Sequence, residues 1–156
     1  LKMNIHDMTG EVMKDSITLT HPDSLNKYLE RGKNLWINDS YWLVMPFKLK
    51  DSGVTLTYAG AETSDTLNAD ILELRFKDVG KTPQNKYQVY IDKESKLINQ
   101  WAFFTTATND TARFKTPWKN YKSHGDILLS GDRGSYKLTD IKTGLEVGEA
   151  LNAPLD

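Results

Sequence analysis

The fold is indicated most clearly by the stretch Leu72-Glu73-Leu74-Arg75-Phe76-Lys77, which is followed after a short link by Tyr87-Gln88-Val89-Tyr90-Ile91-Asp92. In the first segment apolar residues alternate with charged ones, and in the second segment Tyr87, Val89 and Ile91 alternate with Gln88, Tyr90 and Asp92. Successive side chains of a strand point to opposite faces of its sheet, so this pattern predicts two half-buried strands. The link from Val79 to Lys86 contains turn residues and is too short for a parallel crossover, which predicts an antiparallel hairpin.

The same pattern continues on both sides of this hairpin. Apolar runs, separated by turn residues, recur at intervals of about ten residues. These runs are Val54–Tyr58, Leu97–Thr105, Ala112–Trp118, Ile127–Leu129, Tyr136–Ile141 and Leu145–Val147. Because every link is short, we predict a mainly β fold in which residues 54–148 form a meander, as a curled antiparallel sheet that makes an incomplete barrel.

The chain before residue 54 has a less regular pattern. Residues 16–20 alternate between hydroxyl and apolar side chains, which predicts one strand. Asp23 or Ser24 then suits the N-cap of a helix, because the apolar residues that follow have helical spacing. With Gly32 as the C-cap, these signals predict one short helix at about residues 23–31.

The segment after this helix allows two interpretations. Asn38-Asp39-Ser40 is typical of a turn between two apolar runs. The second run, Tyr41–Phe47, is apolar throughout, so its pattern does not separate a fully buried strand from one or two turns of buried helix. Pro46 ends the run in either case. We therefore expect one or two short helices packed on the sheet.

Length and composition fit a single domain over residues 1–156, with a tail at residues 150–156 that is expected to fray. The formal net charge of -1 argues against a nucleic-acid partner, since such a partner needs a basic face. No apolar run is long enough for a transmembrane segment. The chain contains no cysteine, which excludes disulfides and thiolate chemistry. The oligomeric state does not follow from these features.

The histidines and the serine of a possible triad do not form a recognisable motif. His6, His21 and His124 lack the spacing of metal ligands, so we predict no metal site and no cofactor. Ser130 lacks the flanking glycines of a nucleophile elbow, and its proximity in sequence to Asp132 therefore does not predict a catalytic triad.

Two further patterns suggest catalysis only weakly. Gly80-Lys81-Thr82 resembles the end of a phosphate-binding loop, but Arg75 stands where that loop needs a glycine, so a hairpin turn is predicted. Acidic residues such as Glu73 and Asp92 could form a hydrolytic pair, although both fall on polar strand faces or in turns. We therefore predict that the chain is not an enzyme and has no catalytic residue.

Aromatic residues are the most informative candidates for a binding site. If the three central strands keep the simplest register, one sheet face carries Leu72 and Ile91 together with six candidate site residues, namely Leu74, Phe76, Tyr87, Val89, Trp101 and Phe103. A slip of one residue would place Gln100, Ala102 and Phe104 on that face instead. We expect the six residues to line an apolar cavity, with Trp42 and Phe47 from the opposite layer. The alternative is two ordinary packed layers with a filled core.

One stretch resembles a family signature. The segment Tyr41–Gly53 reads Y-W-L-V-M-P-F-K-L-K-D-S-G and resembles the signature W-x-x-M-P-[FY]-K-L-x-D-P-G of an uncharacterised bacterial cell-envelope family, with Ser52 in place of the proline. Three later stretches resemble the same family, namely Tyr90–Trp101, Phe114–Tyr121 and Ile127–Arg133. The layout of this family is similar to that of periplasmic lipoprotein carriers of the LolA/LolB type.

The resemblance implies a curled antiparallel sheet that helices close over an apolar cavity for acyl chains. It also implies leading strands that this chain lacks, so the chain is interpreted as one domain or as a fragment without its N-terminal strands. We expect a non-enzymatic binding module of the bacterial cell envelope, periplasmic or otherwise exported, that holds an apolar or lipid-like ligand between the sheet and a covering helix. A structural or interaction domain with a filled core, and an acid-catalysed hydrolase, are the alternatives.

Overall fold

The structure is a computed structural model that describes residues 1–77, 79–80 and 82–143. It is mainly β, with four antiparallel sheets and one α-helix among these residues, as the alternating pattern predicts. The chain forms two compact units, one containing residues 1–43 and 142–143 and the other containing residues 44–141. The strand expected at Leu145–Val147 and the tail at 150–156 lie outside the described residues.

The first unit begins with two small hairpins. Strands β1 (Lys2–Asn4) and β2 (Thr9–Glu11) pair with each other, as do β3 (Met13–Lys14) and β4 (Ile17–Thr18). The prediction of one continuous strand over residues 16–20 is wrong, because Asp15 and Ser16 have φ angles of 50° and 63° and reverse the chain. Two consecutive residues with positive φ are the mark of a tight two-residue hairpin turn.

The helix is much longer than predicted. Helix α1 runs over Pro22–Val44, and a 3₁₀-helix follows over Met45–Lys48. The expected end at Gly32 is wrong, because helix α1 continues through this residue. A side chain at position 32 would collide with the Leu1 side chain, so the glycine permits Leu1 to pack closely against the helix and does not cap it. The expected turn at Asn38-Asp39-Ser40 is also helical, and the Ser40 hydroxyl donates to the Trp36 carbonyl at 2.6 Å.

The stretch that resembles the envelope signature forms the exit from the helix into the main sheet. Of the two interpretations of Tyr41–Phe47, the helical one is correct, and Pro46 lies in the first turn of the 3₁₀-helix. Lys48 Nζ contacts Asp51 Oδ2 at 2.5 Å, and the Asp51 carbonyl accepts a hydrogen bond from the Val54 amide at 3.0 Å. Gly53 has a φ of 82°, which favours glycine. Lys48, Asp51 and Gly53 therefore stabilise the turn that leads from the 3₁₀-helix into the sheet.

The second unit is built on a five-stranded antiparallel sheet whose strands follow chain order. The strands are β5 (Val54–Ser64), β6 (Leu67–Phe76), β7 (Lys86–Asp92), β8 (Ile98–Phe104) and β9 (Phe114–Pro117). Each pairs with its sequence neighbours, so the predicted meander is confirmed here. β-bulges interrupt the ladders next to Tyr58 and next to Tyr90.

The sheet is curled, and the charges of two side chains on its opposite edge strands interact. A hydrogen bond with Tyr90 raises the pKa of Lys115, and the charge of Glu62 raises it further. Glu62 lies on edge strand β5 and Lys115 lies on the opposite edge strand β9. We call the face that bears these side chains the alanine face, because its buried core consists of Ala69, Tyr90, Ala102 and Phe104.

A three-stranded antiparallel sheet completes the second unit, with strands β10 (Lys119–His124), β11 (Ile127–Arg133) and β12 (Tyr136–Lys137). Strand β10 was not predicted, because Lys119–His124 contains few apolar residues. The guanidinium of buried Arg133 stacks on the Trp118 ring at 3.1 Å and donates three hydrogen bonds of 2.9 Å, to the Ser130 hydroxyl and to the Ser130 and Asp132 carbonyls.

Candidate functional site

Strand register brings most of the predicted site residues onto one face of the five-stranded sheet. Val89 pairs with Leu72 on one side and with Trp101 on the other. Tyr87 likewise pairs with Leu74 and with Phe103. This is the register that the sequence predicts, and the slipped register does not occur. Gln100, Ala102 and Phe104 therefore point to the alanine face.

Five aromatic rings on this face make continuous contact across four strands. The rings belong to Phe76, Tyr87, Trp101, Phe103 and Phe114, and we call them the aromatic face. Tyr87 packs edge-on against Phe76 at 5.3 Å and stacks on Trp101 at 4.9 Å. Phe114 lies 5.7 Å from Trp101 and 5.2 Å from Phe103. All these centroid separations fall in the range of favourable aromatic pairs.

On this face of the sheet burial is greatest at the centre and decreases from Trp101 towards strand β9. Leu74 and Val89 are buried, and Trp101 is only 4% exposed. Phe103 is half-buried, and Phe114 on the edge strand is 38% exposed. The face thus combines a buried centre with an exposed aromatic margin. Such a margin is a place where an apolar molecule could extend the packing of the core.

The structure places the eight predicted site residues in three locations. Six of them lie together on one sheet face, namely Leu74, Phe76, Tyr87, Val89, Trp101 and Phe103. Phe47 lies in the 3₁₀-helix of the same unit and is 57% exposed. Trp42 is half-buried and belongs to helix α1 in the other unit. The expectation that these last two residues form the opposite layer of a cavity stays a prediction.

Phe114 is a member of the aromatic face that sequence reasoning missed. Its strand shows the expected alternation, but the alternation does not fix its register against β8. The structure sets that register with a hydrogen bond of 2.8 Å from the Arg113 amide to the Phe103 carbonyl, which brings Phe103 opposite Phe114. The link between these strands holds nine residues, 105–113, and a link of that length permits several registers.

The charged residues on the opposite face form a structural network. Lys86 is buried, and its ammonium donates to the Asn109 carbonyl at 2.8 Å and lies 4.5 Å above the Phe104 ring. It also lies 3.7 Å from Glu73, which accepts a hydrogen bond of 2.7 Å from Arg75. Burial by itself would raise the pKa of Glu73, but the bond from Arg75 and the charge of Lys86 outweigh it and lower that pKa.

The polar groups considered for catalysis have structural partners. The Ser130 hydroxyl donates to the Lys119 carbonyl and accepts from Arg133. Asp132 accepts hydrogen bonds from Asn120 and from the Gly134 amide. Asp92 accepts bonds from the Ser95 amide and hydroxyl, both at 2.7 Å, and these bonds lower its pKa. These bonds close turns and join strands.

Two other kinds of site are absent from the part of the chain that the structure describes. Within residues 1–77, 79–80 and 82–143, no group of three or more His, Asp or Glu side chains could hold a metal ion. In the same part of the chain, no helix has the length and apolar character needed to cross a membrane.

The aromatic face is therefore the most distinctive candidate site in the described part of the second unit. Comparison of the chain with protein-family models, with curated proteins and with solved structures finds no match in any of the three.

Proposed function

We propose that the chain is a non-enzymatic binding module that holds an apolar or lipid-like ligand against the aromatic face. The main support is the row of five rings in continuous contact, which includes buried Trp101 and exposed Phe114. Binding sites for apolar molecules are lined mainly by aromatic and aliphatic side chains with few polar groups. A ligand at the exposed margin would be in contact with Phe103 and Phe114 first.

The polar groups near this face can orient an amphiphilic ligand. The Tyr87 ring lies within the aromatic row, while its hydroxyl is 3.4 Å from the amide nitrogen of Asn85. The same amide nitrogen donates to the Thr82 hydroxyl at 2.6 Å. An aromatic surface with hydroxyl and amide groups at one end suits a molecule that has an apolar chain and a polar head.

The magnitude of the hydrophobic effect sets the size of the ligand. Burial of one methylene contributes about 0.8 kcal/mol, and micromolar affinity corresponds to about 8 kcal/mol. Roughly ten buried methylenes therefore reach micromolar binding before ordering costs are subtracted. We propose a single acyl chain of about twelve carbons or more as the minimal ligand.

The proposed location is the bacterial cell envelope, in the periplasm or otherwise outside the cytoplasm. The support is the resemblance of Tyr41–Gly53 to the envelope signature. Because that stretch forms the helix-to-strand connection in this chain, its resemblance bears on the fold more directly than on a ligand. An export assay with the native gene in its own host, followed by fractionation, tests the location separately from binding.

A structural or interaction domain is the second candidate. It is favoured by the burial of Leu74, Val89 and Trp101, which are almost inaccessible without a ligand. In that case the aromatic row would act only as core packing. A binding module should bind an added amphiphile saturably, whereas a structural domain should not.

The test is a titration with saturated fatty acids of increasing chain length, followed by tryptophan emission. We expect a saturable change whose dissociation constant falls as the chain lengthens. Phe114→Ala should weaken binding while leaving the buried centre intact, and Tyr136→Ala, which also removes an exposed ring, is the matched control. Absence of saturation for every chain length, or equal effects of the two variants, would favour the structural candidate.

A further inference from the structure

The outer edge of strand β5 has a β-bulge next to Tyr58, but residues 54–58 before the bulge lack the other usual protections against pairing with another strand. Val54–Ser64 is the longest strand of the five-stranded sheet, and among the described residues it pairs only with β6. Tyr58 is 62% exposed, and Thr55 and Thr57 are also exposed. Natural edge strands are commonly blocked by lysine, proline or inward charges. This strand contains no lysine, arginine or proline, and its one charged residue is Glu62.

The hydrogen bonds to β6 determine which backbone groups of β5 point outwards. The Lys77 amide donates to the Gly53 carbonyl at 2.9 Å, which places Gly53 at a hydrogen-bonded position. Such positions alternate along an antiparallel ladder, so Thr55 and Thr57 also bond to β6. The amide and carbonyl of Leu56 therefore point away from the sheet, and so does the carbonyl of Val54, whose amide bonds to the Asp51 carbonyl at 3.0 Å.

We propose that a second copy of this chain pairs with residues 54–58 of β5, antiparallel and about a two-fold axis through Leu56. In this register each Leu56 exchanges both backbone hydrogen bonds with its counterpart, and the Tyr58 amide reaches the Val54 carbonyl of the partner. The bulge next to Tyr58 ends the regular segment and limits the pairing to these residues. A two-fold pairing of identical segments closes on itself and produces a dimer.

The side chains of this segment complement themselves in that register. Val54 lies opposite Tyr58, Leu56 lies opposite Leu56, and Thr55 lies opposite Thr57. Pairs of an aromatic with a β-branched residue and pairs of threonines each stabilise an antiparallel sheet, while like charges opposite each other destabilise it. Residues 54–58 carry no charge, so two copies meet without electrostatic repulsion.

The dimer would combine the sheets without blocking the proposed ligand site. Paired residues of antiparallel strands point to the same face, so the aromatic faces of both copies lie on one side of the combined sheet. Phe114 lies on β9, at the edge opposite to β5, and stays outside the interface. A five-residue strand pair is smaller than a standard interface, so we expect a dissociation constant on the order of 100 µM.

Sedimentation velocity between about 5 and about 500 µM tests this pairing. We expect the native chain to shift from monomer to dimer over that range. Thr55→Lys with Thr57→Lys places lysines opposite each other in the proposed register and should leave a monomer. Thr55→Lys with Thr57→Glu places a lysine opposite a glutamate and should restore the dimer. All four substituted side chains replace exposed threonines, so the fold should persist, which circular dichroism checks.

A native chain that stays monomeric up to the highest concentration would overturn the proposal. Dimerisation that is equal in both double variants would do the same, because the partner would then bind elsewhere. The inference is independent of the ligand: the lysine double variant should bind fatty acids as the native monomer does.

Discussion

Replacement of Arg133 by lysine tests the role of a buried cation in the second unit. The guanidinium stacks on Trp118 at 3.1 Å and donates three hydrogen bonds of 2.9 Å, and Arg133 is only 2% exposed. Burial lowers the pKa of Arg133 to about 10, so it stays charged at neutral pH. A lysine keeps the charge but lacks the planar fork that supports both the stacking and the divergent bonds.

The expected loss follows from these contacts. Hydrogen bonds from a charged group contribute about 1.5–3 kcal/mol each, and a desolvated cation–π contact contributes about 2 kcal/mol. If the ammonium keeps one bond and part of the ring contact, Arg133→Lys loses roughly 3 kcal/mol, after allowance for its own burial. For a chain of this size, that loss lowers the melting temperature by about 6–12 °C.

The assay is urea unfolding, combined with amide hydrogen exchange in β10 and β11 to locate the effect. Arg113→Lys is the matched control, because Arg113 is exposed and the substitution keeps the hydrogen bond from its backbone amide to the Phe103 carbonyl. We expect the control to stay within about 0.5 kcal/mol of the native protein. A similarly small effect for Arg133→Lys would refute the assignment of Arg133 as a structural cation.

Three further predictions concern stability and titration. Gly53→Ala should destabilise the protein more than Gly125→Ala. Both glycines have positive φ, but only at Gly53 would an added Cβ collide with a neighbour, the Val79 side chain at 2.5 Å. The melting temperatures of the two variants measure the difference. Glu73→Gln should reduce the free energy of unfolding at neutral pH. The lowered pKa of Glu73 stabilises the fold above the ordinary value of about 4.3, and this contribution is lost as pH falls through the pKa of the folded state. The difference between variant and native protein should therefore shrink in acid, which urea midpoints at several pH values measure. Burial raises the pKa of Tyr121 to about 12, so in an alkaline absorbance titration Tyr121→Phe should remove a tyrosine step near pH 12, and loss of a step near the ordinary tyrosine value of about 10 would contradict the assignment.

The central strands could be predicted because one physical rule determines them. Apolar and charged residues alternate over Leu72–Lys77, and Tyr87, Val89 and Ile91 alternate with Gln88, Tyr90 and Asp92. Only one register buries the first apolar set against the second. A short link then forces antiparallel pairing. The same rule placed Trp101 on the aromatic face and not on the alanine face.

The helix and part of the candidate site could not be predicted, because their signals depend on distant contacts. Gly32 looks like a helix end until the Leu1 side chain is seen against it. Ser40 looks like a turn residue, yet its hydroxyl bonds to a carbonyl of the same helix. The membership of Phe114 in the aromatic face depends on a register set by one backbone bond from Arg113. Local propensity does not contain this information.

The most direct test of the proposed function follows the indole N–H signals of the four tryptophans by nuclear magnetic resonance during a titration with dodecanoate. We predict that the Trp101 signal moves to a saturating value, because its ring is at the centre of the aromatic face. The signal of Trp36, which is exposed on helix α1, should stay in place. A Trp101 signal that does not respond at millimolar ligand, or one that moves without saturation together with Trp36, would contradict binding at the aromatic face.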